Sequence, residues 1–366
     1  MLRVLQVIGK MDRAGAETFI MNLYRKIDVS KVQFDFMVFT DEKGDYDDEI
    51  EQRGGHIYHM PAFQGYNYFS LCKKFDVFFK EHPYKVVHGH IGSLAPAYLK
   101  AAKKYGAYAI AHSHNTDSNK FFENLTFNLM AHPVRKIADY FFGCSQEAGE
   151  DRFGKTIANS GLFKVINNGI DTSEFVYTSE RHLALKTEFG FEDKVIYGHV
   201  GRFASQKNHP FLIDVFNEIQ KKQENAILIL IGRGEEEEQI KNKVRNLNLE
   251  EKVIFFGIRS DIPDMMNLMD AFIFPSNYEG LGVVGIEAQA AGLPCFFSTG
   301  IAKEATITDQ VFTYDIMDGP EMWADRILKV MSGFKRANSQ QKIIDAKFDI
   351  SFVAKELQDF YMEHSK

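Results

Sequence analysis

Two glutamates, Glu279 and Glu287, stand eight residues apart in PSNYEGLGVVGIEAQAAGLP (275–294), a stretch that is otherwise apolar and rich in glycine. Burying an unpaired carboxylate is costly, so each glutamate needs a partner or a shifted pKa. Two helical side chains at this spacing would point about 80° apart, which favours two hydrogen-bonding roles over a shared proton-transfer dyad. A carboxylate can accept two hydrogen bonds from the vicinal hydroxyls of a sugar or a ribose. The plainer alternative is a capping acid followed by a helix acid that pairs with a neighbouring cation.

Two cations follow an earlier strand. Arg202 and Lys207 lie in GHVGRFASQKNH (198–209), between the end of an apolar strand and the start of a helix. An arginine fork, a lysine charge and free helix-start amides together suit a pyrophosphate. In the glutamate stretch, Gly280 and Gly282 let the backbone come close enough for its amides to face an anion. Alone, the first motif is explained equally well by two ordinary surface cations, but with the glutamates it predicts a ligand that carries both phosphates and hydroxyls.

Four histidines form a second group, at the ends of two strands in the first half of the chain. His88 and His90 lie in VVHGH, and His112 and His114 lie in AHSHN (111–115). Strand alternation points His112 and His114 to the same side. A lone histidine is usually a hydrogen-bonded core residue, but four at two strand ends favour a site. Four histidines are enough to bind a metal, but no carboxylate or cysteine completes an obvious set of ligands beside them.

Three other motifs are less informative. GKMDRAGAE (9–17) is a glycine loop in which Gly15 lets a ligand approach, but it lacks the G-x-G-x-x-G pattern of dinucleotide sites. DYDDE (45–49) contains the metal-binding pattern Asp-x-Asp, and EEEE (235–238) is a run of acids. Both acidic runs precede predicted helices, where the helix dipole favours acids, so we interpret them as surface helix starts.

Alternating strands and helices position these groups. Short apolar runs rich in β-formers predict strands at 2–9, 34–40, 56–60, 85–90, 107–114, 140–145, 194–202, 226–234, 252–257, 270–276 and 293–299. Helical spacing of apolar residues predicts helices at 15–27, 70–82, 94–106, 117–137, 208–222, 235–247, 262–269, 283–291 and 349–364. This alternation predicts βαβ units and parallel sheets.

The length of 366 residues predicts two domains, at a prior of about 150 residues each. We expect one doubly wound domain at 1–175, another at 176–348 and a final helix within 349–366, with a polar stretch free of strands near 171–193. Such domains bind ligands at the carboxyl ends of their strands. A large ligand with two halves is expected between the two domains.

The composition excludes several classes of protein. The net charge of −7 and the pI near 6.0 lack the basic footprint of a nucleic-acid-binding protein. Cys72, Cys144 and Cys295 are isolated, which predicts a reducing, cytoplasmic location. No apolar run reaches the about 20 residues that span a bilayer, and no signal-peptide cleavage site is seen near the N-terminus.

Taken in order, the motifs resemble those of the retaining glycosyltransferases of family four, the group 1 glycosyltransferases, which have the GT-B fold. The resemblance rests on GAE (15–17), AHSHN (111–115), NNGID (167–171), VGRFASQKNH (200–209), IGRGEE (231–236), FFGIRSDIPDMM (255–266) and the glutamate stretch (275–294). With STGIAKEATIT (298–308), the chain is similar to transferases that build bacterial exopolysaccharide or capsule. The resemblance implies two Rossmann-like doubly wound parallel-sheet domains that face each other across a cleft. The acceptor-side domain would come first, the donor-binding domain second, and the last helix would return to the first domain.

The family's donor site is carried over to the matching residues. Arg202 and Lys207 would hold the nucleotide diphosphate and stabilise it as the leaving group. Glu287 would bind the ribose hydroxyls, and Glu279 would bind hydroxyls of the donor sugar. The backbone near sugar and phosphate would come from Gly280, Leu281, Gly282 and Val283.

Two further loops would complete the donor site. Ile258 and Arg259 would hold the base, mainly through their backbone. Gly15 and Ala16 would lie over the phosphates from the other domain. The family's usual glycine pair is Ala14 and Gly15 in this chain, which puts close approach of the diphosphate in doubt.

The reacting centre would combine His114, or its neighbour His112, with Glu279, Arg202 and Lys207. Cationic side chains and amides can neutralise a departing diphosphate, so neither a cofactor nor a metal is expected. Retention without a carboxylate nucleophile beneath the sugar implies attack on the same face, with the leaving phosphate taking the acceptor's proton.

The predicted function is therefore transfer of a sugar from a nucleotide-diphosphate donor, expected to be UDP-linked, to a glycan or lipid-linked acceptor in bacterial surface polysaccharide synthesis. Two alternatives stay open: a UDP-sugar epimerase of the same fold, and a non-catalytic subunit that binds sugar nucleotides. Two basic-aromatic segments, CKKFDVFFKEH (72–82) and NKFFENLTF (119–127), suggest peripheral contact with the inner face of the membrane, although a solvated helix face explains them equally well. The sequence sets neither the sugar, the acceptor nor the oligomeric state.

Overall fold

The structure is a computed structural model that describes residues 1–114 and 132–365. The chain divides into two compact units, Met1–Gly169 with Ile350–Lys366, and Ile170–Asp349. Each unit contains a parallel sheet with hydrophobic side chains packed on both faces, as a buried parallel sheet requires. The predicted parallel α/β architecture is confirmed in both halves.

The division falls a few residues before the expected boundary at 175. Ile170 forms a parallel bridge with Asp349, and the Thr172 hydroxyl donates to Asp349 Oδ2 over 2.6 Å. Because these contacts tie the chain to the second unit at once, that unit begins at Ile170.

In the described part of the first unit, seven parallel strands form a sheet of order β3-β2-β1-β4-β5-β6-β7. They are β1 (Leu2–Val7), β2 (Val32–Val38), β3 (Ile57–His59), β4 (Val86–Gly89), β5 (Tyr108–Ser113), β6 (Tyr140–Gly143) and β7 (Phe163–Val165). The order reverses between β1 and β4, so the loops after these two strands diverge and leave room for a ligand. Gln6 on β1 is the register partner of His88 on β4, which places two polar residues inside the sheet at this point.

The described part of the second unit has six parallel strands of order β10-β9-β8-β11-β12-β13. They are β8 (Val195–Val200), β9 (Ala226–Ile231), β10 (Val253–Gly257), β11 (Ala271–Phe274), β12 (Cys295–Ser298) and β13 (Val311–Tyr314). Here the order reverses between β8 and β11, which makes the carboxyl ends of these strands the expected ligand position.

Helices cover the faces of the sheets. They are α1 (Gly15–Lys26), α2 (Asp47–Gln52), α3 (Tyr68–Glu81), α4 (Ala95–Lys104), α5 (Gln146–Phe153), α6 (Lys155–Ala158), α7 (Ser179–Phe189), α8 (His209–Lys222), α9 (Glu237–Asn246), α10 (Ile262–Leu268), α11 (Val283–Ala290), α12 (Pro320–Met331), α13 (Gln340–Asp345) and α14 (Ile350–Glu363). The last helix, α14, packs on α1 in the first unit, where Gln358 accepts a hydrogen bond from the Asp28 N–H over 2.8 Å.

The polar stretch near 171–193 has no strand, as expected, but it contains helix α7. The Thr178 hydroxyl caps the start of α7 by accepting from the Arg181 N–H over 3.1 Å, and Gly190 ends it in a left-handed conformation with φ of 72°. These two cap signals are present in the sequence, yet the helix between them lacks a clear apolar stripe. Strands β7 and β13 were also missed, because strands of three or four residues are too short to show a periodic pattern.

Two predicted segments lie wholly or largely outside the described residues. NKFFENLTF (119–127) is one, and the predicted helix at 117–137 is the other. Of the latter, His132–Lys136 forms a 3-10 helix. Among the described residues, every helix is too short or too polar to cross a bilayer.

The acids of DYDDE serve the start of α2. Asp47 accepts from the Gly44 N–H over 2.8 Å, and Asp48 pairs with Lys43 over 2.6 Å. Since protein groups occupy both carboxylates, the run acts as the surface helix start that the sequence suggested.

Candidate active site

The predicted cation and glutamate loops meet in the second unit because β8 and β11 are neighbouring strands. Lys207 follows β8 and Glu279 follows β11. Lys207 Nζ lies 2.7 Å from Glu279 Oε1, and the two side chains are only 16% and 7% exposed. Lys207 Nζ also lies 5.0 Å from the centre of the Phe274 ring. The structure therefore joins two predicted site residues as a buried ion pair where the strand order reverses.

Hydrogen bonds hold both the side-chain carboxylate and the backbone N–H of Glu279. Gln206 Nε2 donates to Glu279 Oε2 over 3.3 Å and to the Tyr278 carbonyl over 3.2 Å. The Glu279 N–H donates to the carbonyl of Gly300 over 3.0 Å. A Cβ at Gly300 would lie 2.2 Å from the Asn277 carbonyl oxygen, so only glycine lets the two loops pass this closely. Glu279 thus presents a carboxylate of fixed position, and a ligand hydroxyl has to bind beside its protein partners or replace one of them.

The glycine loop leads directly into α11. Gly282 precedes the helix with φ of 72°, and a Cβ there would lie 2.9 Å from the Phe274 ring. Gly280 is half-buried, Leu281 is buried, and Val283 is the first residue of α11. Gly282 offers no side chain to cap the helix, so the amides of Val283 and Val284 at the start of α11 are open to an anion.

Among the described residues, the carboxylate of Glu287 on α11 has no partner, whereas that of Glu279 has two. Burial, with a smaller contribution from the like charge of Glu174, raises the pKa of Glu287 to about 7. Within the described ranges 1–114 and 132–365, no hydrogen bond or ion pair reaches its carboxylate. The side chain is half-buried, so its oxygens are open to a ligand, and a pair of ligand hydroxyls would supply the hydrogen bonds that these residues do not.

Arg202 pairs with Glu235 rather than with the buried ion pair. Arg202 Nη2 lies 2.9 Å from Glu235 Oε2, and the two side chains are 73% and 58% exposed. Because an ion pair this exposed contributes at most about 1 kcal/mol, the guanidinium can exchange Glu235 for a diphosphate at little cost.

The loop after β10 carries the two residues expected at the nucleobase. Ile258 is 67% exposed. Arg259 forms a two-pronged ion pair with Asp261, and its guanidinium lies 5.5 Å from the centre of the Phe256 ring. With the arginine side chain engaged in this way, a base would meet Ile258 and the backbone of the loop.

Three of the four histidines line an open cavity of about 280 Å³ in the first unit, at the carboxyl ends of β1, β4 and β5. Its walls include Ala16 and Glu17 from α1, together with His90, His112 and His114. Burial raises the pKa of Glu17 at this wall. One predicted phosphate contact, Ala16, therefore lies beside the predicted histidines.

Gly15 opens helix α1 and is exposed. Ala14, the residue before it, gives the helix no side-chain cap. As at α11, the first amides of the helix lack a capping side chain, so an anion can approach them.

His112 and His114 do point the same way, and their rings stack with centroids 4.1 Å apart. Burial lowers the pKa of His114 to about 4, and it lowers those of His88, His90 and His112 well below the usual value. All four rings are therefore neutral at pH 7, each with one N–H and one lone pair. Both His112 and His114 line the cavity, so the geometry favours neither as the reacting-site histidine.

In the described ranges of the chain, one group has the spacing to hold a metal ion. Ring nitrogens of His88, His90 and His112 all lie within 4.8 Å of one another. However, His88 and His90 each use both ring nitrogens in hydrogen bonds to other side chains. An ion could bind here only by displacing those bonds.

Sequence reasoning missed three residues that hold the site together. Gln206 lies inside a recognised motif but was not singled out. Gln6 is 1% exposed in an apolar strand, and a polar residue in such a strand is the signal that could have found it. Tyr361 lies on the helix predicted at 349–364, whose apolar spacing does not indicate that its hydroxyl lies 2.7 Å from His88 Nδ1.

Comparison with known proteins identifies relatives across nearly the whole chain. The family model described as glycosyl transferases group 1 matches residues 184–346, and that described as glycosyltransferase family 4 matches residues 13–174. EpsF of Bacillus subtilis (strain 168), a protein assigned as a glycosyltransferase, is 33% identical over 334 residues, which cover 89% of this chain and 87% of EpsF. CapH of Staphylococcus aureus, a capsular polysaccharide biosynthesis glycosyltransferase, is 27% identical over 384 residues, which cover 99% of each chain.

A solved structure shares the fold. HepE of Anabaena in complex with UDP and glucose matches with a TM-score of 0.80 at 19% identity, covering 98% of this chain and 99% of that one. The complex of HepE with UDP-glucose also gives a TM-score of 0.80. This likeness confirms the predicted GT-B fold.

Proposed function

The chain belongs to the group 1 glycosyltransferases, and on that premise we propose that it moves a sugar from a UDP-sugar to a glycan or lipid-linked acceptor in bacterial surface polysaccharide synthesis. The observation that carries this proposal is the β11–α11 connection. Its loop holds Glu279, which pairs with Lys207 from the loop after β8, and its helix holds Glu287, a carboxylate with no partner among the described residues. The biosynthetic setting is supported by CapH, and the nucleotide by the UDP bound to HepE.

Each part of the donor has a counterpart in the second unit. The ribose hydroxyls would supply the two hydrogen bonds that Glu287 lacks. The diphosphate would lie between Lys207, the open amides of α11 and the exchangeable guanidinium of Arg202. Glu279 would accept hydrogen bonds from hydroxyls of the transferred sugar.

The chemistry then needs only groups of the protein and the donor. As the bond between the sugar and the diphosphate breaks, negative charge grows on the leaving phosphate, and Lys207 and Arg202 stabilise it in the role that a metal ion could otherwise fill. We propose retention through attack on the same face, in which the leaving phosphate oxygen takes the proton of the acceptor hydroxyl. We propose that Lys207 turns from Glu279 toward the phosphate during this step, which frees one Glu279 oxygen for the sugar.

A panel of nucleotide sugars tests this function. We expect one UDP-sugar to raise the melting temperature of the protein, with a stabilisation of about 2.7 kcal/mol at a concentration near 100 times its Kd. UDP should bind as well, and GDP-sugars should not. If no nucleotide sugar stabilises the protein, the proposed function is wrong.

Incubation with the best donor separates the two alternatives. An epimerase would convert the donor to its epimer without an acceptor and release little UDP. A non-catalytic subunit would bind UDP yet neither hydrolyse nor transfer the sugar. Release of UDP that increases when acceptor glycan is added supports the transferase.

We also propose that the first unit contacts the membrane, but through other aromatic residues than those of the segment 72–82. Membrane contact through the segment 72–82 would require exposed aromatic side chains, but its three phenylalanines are buried in the core: Phe75, Phe78 and Phe79. The exposed aromatics lie just before it, where Tyr66 is 84% and Phe69 is 80% exposed. Lys73 and Lys74 are exposed on the same helix, α3. Aromatic and basic groups on one short segment suit the interface of an anionic membrane.

We expect the protein to co-sediment with vesicles that contain anionic lipid, and less so as salt rises, because salt screens the lysine charges. Tyr66→Ser with Phe69→Ser should abolish sedimentation without changing UDP binding. Val29→Ser, which removes an exposed apolar side chain elsewhere in the unit, is the control. Equal sedimentation of the double variant and the wild type would rule out this surface.

A further inference from the structure

The histidine cluster is organised by one glutamine, Gln6, through two arms of hydrogen bonds. In the first arm, Gln6 Oε1 lies 2.9 Å from His90 Nε2, and His90 Nδ1 lies 2.7 Å from His114 Nε2. The amide oxygen of Gln6 can only accept, so His90 carries its proton on Nε2 and offers a lone pair at Nδ1. His114 must then donate from Nε2, which leaves Nδ1 of His114 as a bare lone pair.

The second arm begins at the amide nitrogen of the same side chain. Burial raises the pKa of the Tyr361 hydroxyl, and a hydrogen bond donated by Gln6 works against that rise. Tyr361 therefore directs its own proton to His88 Nδ1, 2.7 Å away, and His88 Nε2 lies 3.2 Å from His112 Nδ1. Since His88 donates from Nε2, His112 accepts at Nδ1 and carries its proton on Nε2.

Within the part of the chain that the structure describes, both arms end at atoms that have no partner. His112 Nε2 and His114 Nδ1 are buried, and in the described residues neither makes a hydrogen bond. The two rings stack on each other, and both residues line the cavity of about 280 Å³. A buried donor and a buried acceptor left unpaired are each costly, so the arrangement points to a ligand group that satisfies both.

We propose that Gln6 is a positioning residue whose amide, through these two arms, makes His112 and His114 present one N–H and one lone pair that together receive a single hydroxyl group of a sugar substrate. A hydroxyl is suited to this pair because it accepts one hydrogen bond while it donates another. That the hydroxyl belongs to a sugar rests on the proposed function. It can come from the donor or from the acceptor, since both present such groups.

The complementarity does not depend on which way the Gln6 amide faces. In the observed orientation all four histidines carry the proton on Nε2. If the amide were rotated, every bond in both arms would reverse, and all four would carry it on Nδ1. His112 Nε2 would then accept and His114 Nδ1 would donate, so the pair would still match a hydroxyl.

The first test reads the tautomers in the free protein. Long-range ¹H–¹⁵N correlation spectra of protein labelled with ¹⁵N-histidine should show His88, His90, His112 and His114 in one shared tautomer, with the proton on Nε2. Spectra of single histidine variants provide the assignments. A uniform set on Nδ1 would support the proposal with the roles of the two terminal atoms exchanged. A mixed set, or a doubly protonated ring at neutral pH, would overturn it.

Two variants then test whether the hydrogen bonds of the two arms set the histidine tautomers or only support the structure. We call the setting of the tautomers through the arms the relay. Tyr361→Phe cuts the second arm alone, so His88 and His112 should become tautomer mixtures while His90 and His114 keep theirs. Gln6→Met should turn all four histidines into tautomer mixtures. If Gln6→Met does not fold, Tyr361→Phe still decides, because unchanged tautomers at His88 and His112 would exclude the relay.

Ligand titrations identify the source of the hydroxyl. We expect the resonances of His112 and His114 to shift with the most stabilising UDP-sugar, or with a free oligosaccharide as acceptor, and not with UDP alone. If a UDP-sugar stabilises the protein but no sugar-bearing probe moves these resonances, the hydroxyl receptor is wrong while the transferase function stands. If no nucleotide sugar binds, the proposed function fails, and the tautomers of the free protein still decide the part played by Gln6.

Discussion

Replacing Lys207 by methionine is expected to lower kcat/KM for sugar transfer by about 10²–10³-fold, the loss typical of removing one group that stabilises charge in a transition state. Lys207 is only 16% exposed and lies against the Phe274 ring, so water screens its charge weakly. The charge on the departing diphosphate would then be left to Arg202 and the backbone amides. Initial rates of UDP release, measured with the UDP-sugar that binds, give the comparison.

Lys207→Met also leaves the Glu279 carboxylate without its cation, and the resulting loss of stability has to be separated from the loss of catalysis. Without Lys207, the buried Glu279 carboxylate has lost its cation, which costs about 3–5 kcal/mol of stability. Adding Glu279→Gln removes the stranded charge, so the double variant should regain melting temperature without regaining activity. Lys243→Met breaks an ion pair with Asp214 of 2.6 Å and should leave kcat/KM unchanged. Activity of Lys207→Met equal to that of Lys243→Met would exclude Lys207 from the reaction.

Replacing Glu287 by glutamine is expected to weaken binding of a UDP-sugar by about 10²–10⁴-fold, because hydrogen bonds to a charged group contribute about 1.5–3 kcal/mol each and two are lost. The carboxylate has no competing partner among the described residues, so no protein contact needs to break when the ribose binds. Isothermal titration calorimetry measures the difference directly. Glu192→Gln, which changes an exposed glutamate of the same unit, is the control.

The affinity should also depend on pH in one direction. The pKa of Glu287 in the free protein is about 7, raised by burial, and the ribose binds the carboxylate. Below pH 7 the protein must release a proton to bind, so affinity should fall up to tenfold per pH unit as the pH drops, and it should level off above pH 7. A UDP-sugar is the suitable probe because its diphosphate does not titrate in this range. Glu287→Gln should flatten the dependence.

The uridine diphosphate of 2′-deoxyribose shows whether Glu287 contacts the ribose. The wild type should bind it more weakly than UDP, whereas Glu287→Gln should bind the two nucleotides nearly alike, because the partner of the missing hydroxyl is already gone. If removal of the 2′-hydroxyl lowered the affinity equally in the wild type and in Glu287→Gln, the ribose would not contact Glu287.

The sequence predicted the fold and the ends of the strands well because parallel strands and amphipathic helices leave strong periodic patterns. It also identified Lys207, Glu279 and Glu287 as site candidates from glycine loops that follow strands. It did not predict that Lys207 and Glu279 form an ion pair, because they are far apart in the chain and their contact depends on β8 and β11 being neighbours.

Buried polar networks were the least predictable part. In the sequence, Gln6 is a single polar residue in an apolar strand, and Tyr361 is an aromatic residue in an amphipathic helix. The register of β1 with β4 brings Gln6 to the histidines, and the packing of α14 brings Tyr361 there. The sequence also left open whether Phe75, Phe78 and Phe79 face core or solvent, because an aromatic residue beside lysines can do either. Residue type alone does not determine whether such a side chain faces the core or the solvent; the three-dimensional packing does.

The most direct test of the account is the configuration of the first sugar released from the best UDP-sugar, an α-linked donor, followed by ¹H NMR with EDTA present. With water or a glycan as acceptor, we predict UDP release together with an α-configured product at the earliest times, at a rate that falls in Lys207→Met. A β-configured first product, a requirement for added metal, or UDP release that is equal in wild type and Lys207→Met would contradict it.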